Sequence, residues 1–361
     1  MLKPQIITMY LPQYHRIPEN DEWWGEGFTE WTNVKKAKPL FEDHIQPRVP
    51  LNANYYDLDN PVELVKQMSL AKQYGISGFC FYHYWFRDGK KILEKPIEQL
   101  LNEKEIPLNF CLCWANESWT RNWDGVEGSK VTLIKQEYGN EDDWDRHFAY
   151  LLSFFKLEEY LKKDNCPVFL IYKPSQIPKL EMMLARWNIL AKKHGFSGIH
   201  IIAVHRTCID YVDGELLSGV ADFEPFTTLS FMSNEQLEEA CYIKDGFNGK
   251  KYKVYDYQKI ADYNCAQYKM KGINHYLGCF PGWDNTPRRG EDENVLKIIN
   301  NTPNAFKEYL NIQYRKSMEN ENDYLFINAW NEWGEGAFLE PDEKYGYGFL
   351  ESVKQVVFSE E

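Results

Sequence analysis

The chain has 361 residues, with 54 acidic against 41 basic side chains and a formal net charge of −13. This length allows either one large barrel or two domains of average size, each with a substantial core. The negative charge argues against nucleic acid or an anionic membrane surface as the main partner, because both need basic clusters that the sequence does not contain.

The termini and cysteines indicate a cytoplasmic protein. The N-terminus leads directly into a strand-like run without a signal-type segment, and no apolar stretch approaches the roughly eighteen residues of a membrane span. Eight cysteines stand mostly inside apolar runs, which is typical of reduced thiols. Cys111 and Cys113 have no second Cys or His pair at ligand spacing, so we expect no metal site and no cofactor.

Short apolar runs alternate with helical patterns along the whole chain. Strands are predicted within residues 5–15, 76–85, 108–116, 168–172, 199–204, 220–223, 276–280 and 325–330. Helices are predicted over residues 60–73, 94–102, 148–152, 180–193, 258–271 and 304–316. Some forty residues after the first strand and about thirty after the sixth show little periodicity. We interpret the first of these segments, which contains Trp23, Trp24 and Trp31, as a functional cover over a site.

Eight such units predict an α/β fold, the (β/α)8 TIM barrel, with long βα loops. A doubly wound sheet is the alternative, but the segment Leu11–His15 lacks the glycines of a pyrophosphate loop. No linker or low-complexity segment divides the chain. We therefore expect one catalytic barrel over residues 1–361.

Polar and aromatic side chains cluster just after the predicted strands, where the active sites of such barrels lie. All tryptophans except Trp144 and Trp187 fall in these segments. Indoles with amides and carboxylates between them suit a carbohydrate, because sugar C–H faces pack on aromatic rings and hydroxyls bind the polar groups. The candidate substrate-binding residues are Tyr10, Tyr14, His15, His83, Trp85, Trp114, Asn116, Glu117, Arg121, Trp283, Asp284, Asn331 and Trp333.

The eighth strand is followed by Glu332 and Glu335, the candidate catalytic pair. Two carboxylates around one sugar can divide glycosidic chemistry between them, one handling the leaving-group proton and the other attacking or activating a nucleophile. The spacing of three residues allows both to reach one sugar if the backbone curls into a helical turn. The alternative is an acidic solvated turn, but such a turn has no need of Trp330 and Trp333.

The segment Asn331–Gly336 resembles the N-E-W-x-E-G motif of glycoside hydrolase family 99, the endo-acting α-mannosidases. The whole chain resembles the WbsX-type proteins even more closely, a family named as glycosyltransferases of lipopolysaccharide O-antigen and capsule synthesis. The resemblance rests on the segments 10–15, 23–25, 30–34, 82–86, 113–117, 119–121, 283–288 and 339–342 together with this motif.

The resemblance implies a (β/α)8 barrel and a retaining mechanism. In that mechanism the glutamate matching Glu332 deprotonates the sugar 2-hydroxyl to give a 1,2-anhydro intermediate, and the one matching Glu335 serves as acid and then as base. The family's hydrolases often have His where this chain has Gly334.

Three functions remain open from the sequence. The first is an enzyme that cleaves or transfers a mannose-like α-glycoside during cell-surface polysaccharide assembly or processing. The second is a glycosyltransferase with a nucleotide- or lipid-linked sugar donor, and the third is a non-catalytic glycan-binding barrel. The expected partner is an oligosaccharide or polysaccharide. The sequence gives neither the sugar, its linkage nor the oligomeric state.

Overall fold

Eight buried parallel strands form a barrel at the centre of the molecule. The computed structural model describes residues 3–120, 131–205, 216–266 and 273–359. The barrel strands are Gln5–Tyr10 (β1), Gly78–Trp85 (β2), Asn109–Trp114 (β3), Cys166–Ile171 (β4), His200–His205 (β5), Gly219–Asp222 (β6), Asn274–Tyr276 with Gly278–Cys279 (β7) and Tyr324–Ile327 (β8). Each corresponds to a strand expected from the sequence, so the predicted (β/α)8 barrel is confirmed.

The register closes the sheet on itself. Ile7 in β1 lies opposite Phe326 of β8 on one side and opposite Gly78 of β2 on the other. The two segments of β7 join the remaining edges, because the first pairs with β6 and the second with β8. All eight residues of β2 are buried. Burial on both faces explains why the barrel strands are continuously apolar rather than alternating.

Helices surround the barrel. Those predicted over residues 60–73, 94–102, 180–193 and 304–316 are found close to these bounds. The helix predicted over residues 148–152 begins earlier, at Glu141, and residues 267–271 of the one predicted over 258–271 lie outside the described residues. Asn60 caps Pro61–Gln73 by accepting a hydrogen bond from the backbone N–H of Val62, and proline occupies the first turn. The helices are Pro18–Trp24, Glu30–Lys36, Pro61–Gln73, Lys95–Gln99, Glu141–Phe155, Leu180–Lys193, Phe226–Phe231, Asn234–Ala240, Tyr257–Ala266, Thr286–Arg289, Pro303–Glu319 and Gly348–Phe358.

Two segments expected to be irregular have regular structure. The cover after β1 contains the helices Pro18–Trp24 and Glu30–Lys36. The insertion after β6 contains two short helices and the antiparallel hairpin Cys241–Asp245 with Lys251–Asp256. The prediction of an irregular insertion was wrong. The alternation of Lys251 and Lys253 with Tyr252 and Val254, and the Asn248-Gly249 pair before them, are hairpin signals that the sequence already carried.

The hairpin belongs to a second, four-stranded sheet beside the barrel. Lys297–Ile299 pairs with the second hairpin strand, and Trp283–Asp284 pairs with Lys297–Ile299 and forms the edge of the sheet. Other short strands are Lys91–Ile92, Trp119–Thr120, Thr132–Ile134, Lys162–Lys163, Asn331–Glu332 and Ala337–Phe338. This sheet lies next to the loops that follow β1, β7 and β8, and it therefore shapes the end of the barrel where the candidate site lies.

The helix Gly348–Phe358 was not anticipated from the sequence. It buries Leu350 and Val353 completely, and Phe349 contacts Phe306 of Pro303–Glu319 with ring centroids 5.7 Å apart. None of the helices in the described part of the chain combines the length and apolar character that crossing a bilayer requires.

Candidate active site

The backbone after β8 curls into the turn that the two-glutamate arrangement needs. Asn331–Glu332 pairs antiparallel with Ala337–Phe338, and the residues between them form a single 3-10 turn, Trp333–Glu335. Gly336 ends the turn with a φ of 64°, and a Cβ there would lie 2.9 Å from the backbone nitrogen of Asp284. Only glycine meets both conditions, so the turn that presents Glu335 depends on it.

Arg288 joins both candidate catalytic carboxylates. Its Nη2 donates to Oε2 of Glu332 at 2.8 Å, and its Nη1 donates to Oε1 of Glu335 at 2.6 Å. Its Nε donates to Oε1 of Glu30 at 2.8 Å. Arg288 comes from the short helix after β7 and Glu30 from the cover after β1, so three loops at the same end of the barrel meet here.

Burial makes this charge cluster unusual. The side chains of Arg288 and Glu332 are 4% and 6% exposed, that of Glu30 is fully buried, and that of Glu335 is 18% exposed. Burial raises the pKa of Glu332 to about 8, and the charges of Glu335 and Glu30 add to the effect while Arg288 opposes it. The three anions hold the pKa of Arg288 well above its usual value against the opposing effect of burial. Burial therefore favours the protonated form of Glu332 at neutral pH, although the Arg288 guanidinium lies beside it.

Gly334 leaves the space that Glu30 occupies. A Cβ at position 334 would overlap the Glu30 carboxylate and would lie 2.8 Å from Nε of Arg288. The space beside Gly334 is thus occupied, in this chain, by the Glu30 carboxylate in contact with Arg288. A side chain at 334 and the present contact exclude each other.

Glu332 and Glu335 line the same cavity, which has a volume of about 370 Å³. Seven aromatic residues line it: Tyr82, Tyr84, Trp119, Tyr172, Phe223, Phe226 and Trp283. Polar groups face it from Glu117, Ser118, Thr120, Asn285, Arg288 and Arg289. A cleft that combines aromatic surface with converging polar groups has the size and character of a small-ligand site, and tyrosine and phenylalanine together contribute more residues to its wall than the expected tryptophans.

Asn331 anchors the turn to β1. Its Oδ1 accepts from the backbone N–H of Leu11 at 2.7 Å, and its Nδ2 donates to the backbone oxygen of Leu11 at 3.0 Å. The Tyr14 hydroxyl donates to the backbone oxygen of Asn331 and accepts from the N–H of Trp333 at 3.3 Å. These contacts position the backbone on either side of Glu332.

A fourth carboxylate, that of the buried Glu340, lies beneath the turn and supports it. Glu340 accepts from the indole N–H groups of Trp333 at 2.6 Å and Trp330 at 3.0 Å, and from the Tyr56 hydroxyl at 3.0 Å. Trp333 also stacks on Phe338 with centroids 3.7 Å apart. Burial raises the pKa of Glu340 to about 8. These tryptophans pack beneath the site and do not line the cavity.

Of the sequence-predicted residues, the structure brings Glu117, Trp283, Glu332 and Glu335 into the cavity wall. Asn331, Trp333 and Tyr14 lie directly behind it. Tyr10 is buried in the barrel and donates to Oε1 of Gln67 at 2.7 Å, and His15 is buried with its Nδ1 2.9 Å from the oxygen of Pro12. Their assignment to substrate binding stays a prediction, and Arg121 lies outside the described residues.

A second group of predicted residues packs around His147. Nε2 of His83 lies 2.9 Å from Nε2 of His147, and burial lowers the pKa of His83 to about 3. Trp85 stacks on the His147 ring at 4.6 Å, and Trp114 donates to the backbone oxygen of Trp85 at 3.0 Å. The side-chain amide of Asn116 donates through Nδ2 to the backbone oxygen of Lys173 and accepts through Oδ1 from the backbone N–H of Lys173. None of these side chains contributes to the cavity wall.

Asp284 faces a different cavity, on the other side of Trp283. It accepts from Nε2 of Gln46 at 2.6 Å and lies 2.8 Å from Nε2 of His44. These partners and Thr286 overcome the effect of burial and hold its pKa at about 2.

Sequence reasoning favoured Arg288 as a residue of the pocket but did not join it to the two glutamates, and it noted Glu30 only as part of a motif. The two residues are 258 positions apart, so spacing could not join them. Tyr84 was expected at the carboxyl end of its strand but was left out of the binding set, and Tyr82 was assigned to the strand interior, although both line the cavity. The described residues contain no group of three or more Cys, His, Asp or Glu side chains that could hold a metal.

Comparison with known proteins identifies the family and supports the fold. A family model described as "Glycosyltransferase WbsX" matches residues 6–353. The chain belongs to the WbsX family. WxcX of Xanthomonas campestris pv. campestris (strain B100) is 36% identical over 364 residues, which cover 99% of this chain and 50% of WxcX. The chain thus spans about half the length of that relative. The description of the family is that of a glycosyltransferase, an enzyme class that acts on carbohydrates.

Solved structures with the same fold include a glycoside hydrolase family 99 endo-α-mannosidase from Bacteroides thetaiotaomicron. Its TM-score is 0.57 at 12% identity, covering 99% of this chain and 98% of the mannosidase. A protein described as glycoside hydrolase-like gives a TM-score of 0.59 at 11% identity, covering 99% and 94% of the two chains. At such low identity these two structures support the barrel fold of this chain and no more specific property.

Proposed function

We propose that this WbsX protein cleaves or transfers a mannose-like α-glycoside of a cell-surface polysaccharide with retention, using Glu332 and Glu335. The observation that carries the proposal is that both carboxylates line one aromatic cavity and share Arg288. We extend the proposal to the whole chain acting as one catalytic barrel.

The proposed first step has Glu332 take the proton of the sugar 2-hydroxyl. The resulting oxygen attacks C1 as the bond from C1 to the departing oxygen breaks, and Glu335 gives its proton to that oxygen. In an α-mannoside O2 and the departing group lie on opposite faces of the ring, so the attack occurs in line. The step starts from the form in which the proton shared by the pair lies on Glu335, and in that form the raised pKa of Glu332 makes it a stronger base for the hydroxyl.

In the proposed second step Glu335 takes a proton from water or from another sugar hydroxyl. That oxygen attacks C1, the bond between C1 and O2 breaks, and Glu332 returns the proton to O2. Two inversions at C1 give net retention, and no proton is gained or lost over the cycle. One proton shared by Glu332 and Glu335 is sufficient for the whole cycle.

The test uses Glu335→Gln and Glu332→Gln, with the exposed Glu26→Gln as control. Purified protein is incubated with a panel of bacterial surface polysaccharides, and release or extension of saccharides is followed by mass spectrometry. We expect each site variant to lose turnover by at least a thousandfold while glycan binding, measured by calorimetry, persists. Full turnover by Glu335→Gln would refute the proposal, and binding without turnover by the parent protein would favour a glycan-binding barrel.

A transferase with an activated donor is the second candidate, because the family description is that of a glycosyltransferase and Arg289 adds a cation to the cavity wall. Thermal-shift measurements with sugar nucleotides test it. A shift of several degrees with one nucleotide sugar, lost in Arg289→Ala, would favour this second candidate.

A further inference from the structure

A second cavity, of about 500 Å³, lies beside the first at the same end of the barrel. Trp283 lines both cavities. The residues next to it divide between them, because Asn285 faces the first and Asp284 the second. In the turn after β8, likewise, Glu335 lines the first cavity and the next residue, Gly336, lines the second. The wall between the cavities is therefore one indole and one backbone turn thick.

The second cavity is built by additions to the barrel. Its walls come from the segment between Phe41 and Arg48 after β1, from Lys244 on the hairpin, from the strand Lys297–Ile299 and from Tyr345. The antiparallel pairing of Trp283 with Ile298 ties the shared indole to this second sheet. The insertion that sequence reasoning regarded as irregular thus supports a wall of the cavity.

The lining has the chemistry of a neutral sugar site. Phe41, Trp283 and Tyr345 supply aromatic surface, while Asn301 and the ammonium groups of Lys244 and Lys344 supply hydrogen-bonding groups. Charges nearly balance. Arg48 is paired with the buried Asp342, Asp284 with His44, and the remaining lysines are opposed by Glu42 and Asp43 at the exposed edge. A phosphate site would need an excess of cationic groups.

We propose that the second cavity binds sugar units of the same polymer next to the unit held between Glu332 and Glu335. This rests on the proposed function and deepens it: the chain acts on an extended saccharide that crosses the wall formed by Trp283, rather than on a terminal sugar alone.

The test compares saccharides of increasing length. α-Linked manno-oligosaccharides of two, four and six units are titrated by calorimetry into Glu335→Gln, in which turnover is blocked. The same titrations are made with Lys244→Ala and Lys344→Ala added together. Lys253→Ala serves as the matched control, because Lys253 is exposed on the same hairpin and does not line the cavity. Both lysines of the test variant are at the rim, so folding is not threatened.

We expect the hexasaccharide to bind at least tenfold more tightly than the disaccharide. The double lysine variant loses about tenfold for the hexasaccharide and leaves the disaccharide unchanged, since two hydrogen-bonding groups are removed. Affinity independent of length, or equal losses for both saccharides, would overturn this inference and leave the proposed function standing. Failure of every saccharide to bind would instead refute the mannoside assignment, and this inference with it.

Discussion

Arg288 is the residue on which the candidate site converges, because its planar fork matches two carboxylates at once while Nε is occupied by a third. Lysine could not hold this arrangement, since a single ammonium has no such fork. The guanidinium holds the carboxylates of Glu332 and Glu335 in fixed positions relative to each other, and its contact with Glu30 orients the guanidinium.

The pH dependence of activity follows from the shared proton. The pKa of Glu332 is raised to about 8 and belongs to the coupled pair, so we expect kcat/KM to fall above that pH as the pair loses its proton. Glu30→Gln removes an anion that raises this pKa, and the alkaline limb should therefore move to lower pH. Initial rates across pH 5–10 check this, with Glu19→Gln as control. An unmoved limb in Glu30→Gln would contradict the assignment.

Glu30 and Gly334 should behave as a coupled pair. Gly334→Ala places a Cβ where the Glu30 carboxylate lies, and Glu30→Ala removes that carboxylate, so both changes take the same partner from Nε of Arg288. Each single change should lower the free energy of unfolding by about 1–3 kcal/mol.

The double variant should lose no more than the larger single change, to within about 0.5 kcal/mol, because the clash disappears with the carboxylate. Urea denaturation gives all four values. Additive losses would show that the two residues do not compete for one space, and Glu19→Ala combined with Gly334→Ala should be additive.

At the scale of elements, the hairpin after β8 is positioned by side chains rather than by barrel pairing. Asn331 substitutes for a neighbouring strand by bonding both backbone groups of Leu11. Glu340 gathers two indole N–H groups and a tyrosine hydroxyl beneath the same turn. The turn that carries Glu332 and Glu335 is thus held in place by a buried network of hydrogen bonds.

Asn331→Ala tests this support. The change leaves the buried N–H and C=O of Leu11 without their side-chain partners, so we expect a loss of about 2–4 kcal/mol in the free energy of unfolding. Activity should fall as well, because the turn carrying Glu332 and Glu335 is no longer held. Chemical denaturation with the exposed Asn294→Ala as control measures the first effect. A loss below about 0.5 kcal/mol would show that water replaces the amide.

At the scale of the whole molecule, a closed barrel brings loops distant in sequence to one end. Glu30, Arg288 and Glu335 come from the loops after β1, β7 and β8, which are neighbours only because β8 pairs with β1. The terminal helix Gly348–Phe358 covers the outside of this closure, packing on Pro303–Glu319 and near Gly75.

Leu350→Ala should separate stability from activity. Leu350 is fully buried in the terminal helix, so we expect a loss of about 2–5 kcal/mol from the transfer and cavity effects. The residue does not line the cavity, and kcat per folded molecule should therefore stay unchanged. Thermal unfolding and single-turnover rates check the two parts, with the exposed Gln355→Ala as control. An unchanged melting temperature would show that the helix contributes little to the barrel.

The sequence by itself determined the eight strands, the barrel and the turn that carries Glu332 and Glu335, because these depend on local apolar runs, caps and glycines. Only the tertiary structure decided that Arg288 and Glu30 join that pair, that most of the tryptophans pack outside the cavity wall and that Asp284 faces a second cavity. Ion pairs and side-chain direction across residues hundreds of positions apart follow from barrel closure, which no local pattern contains.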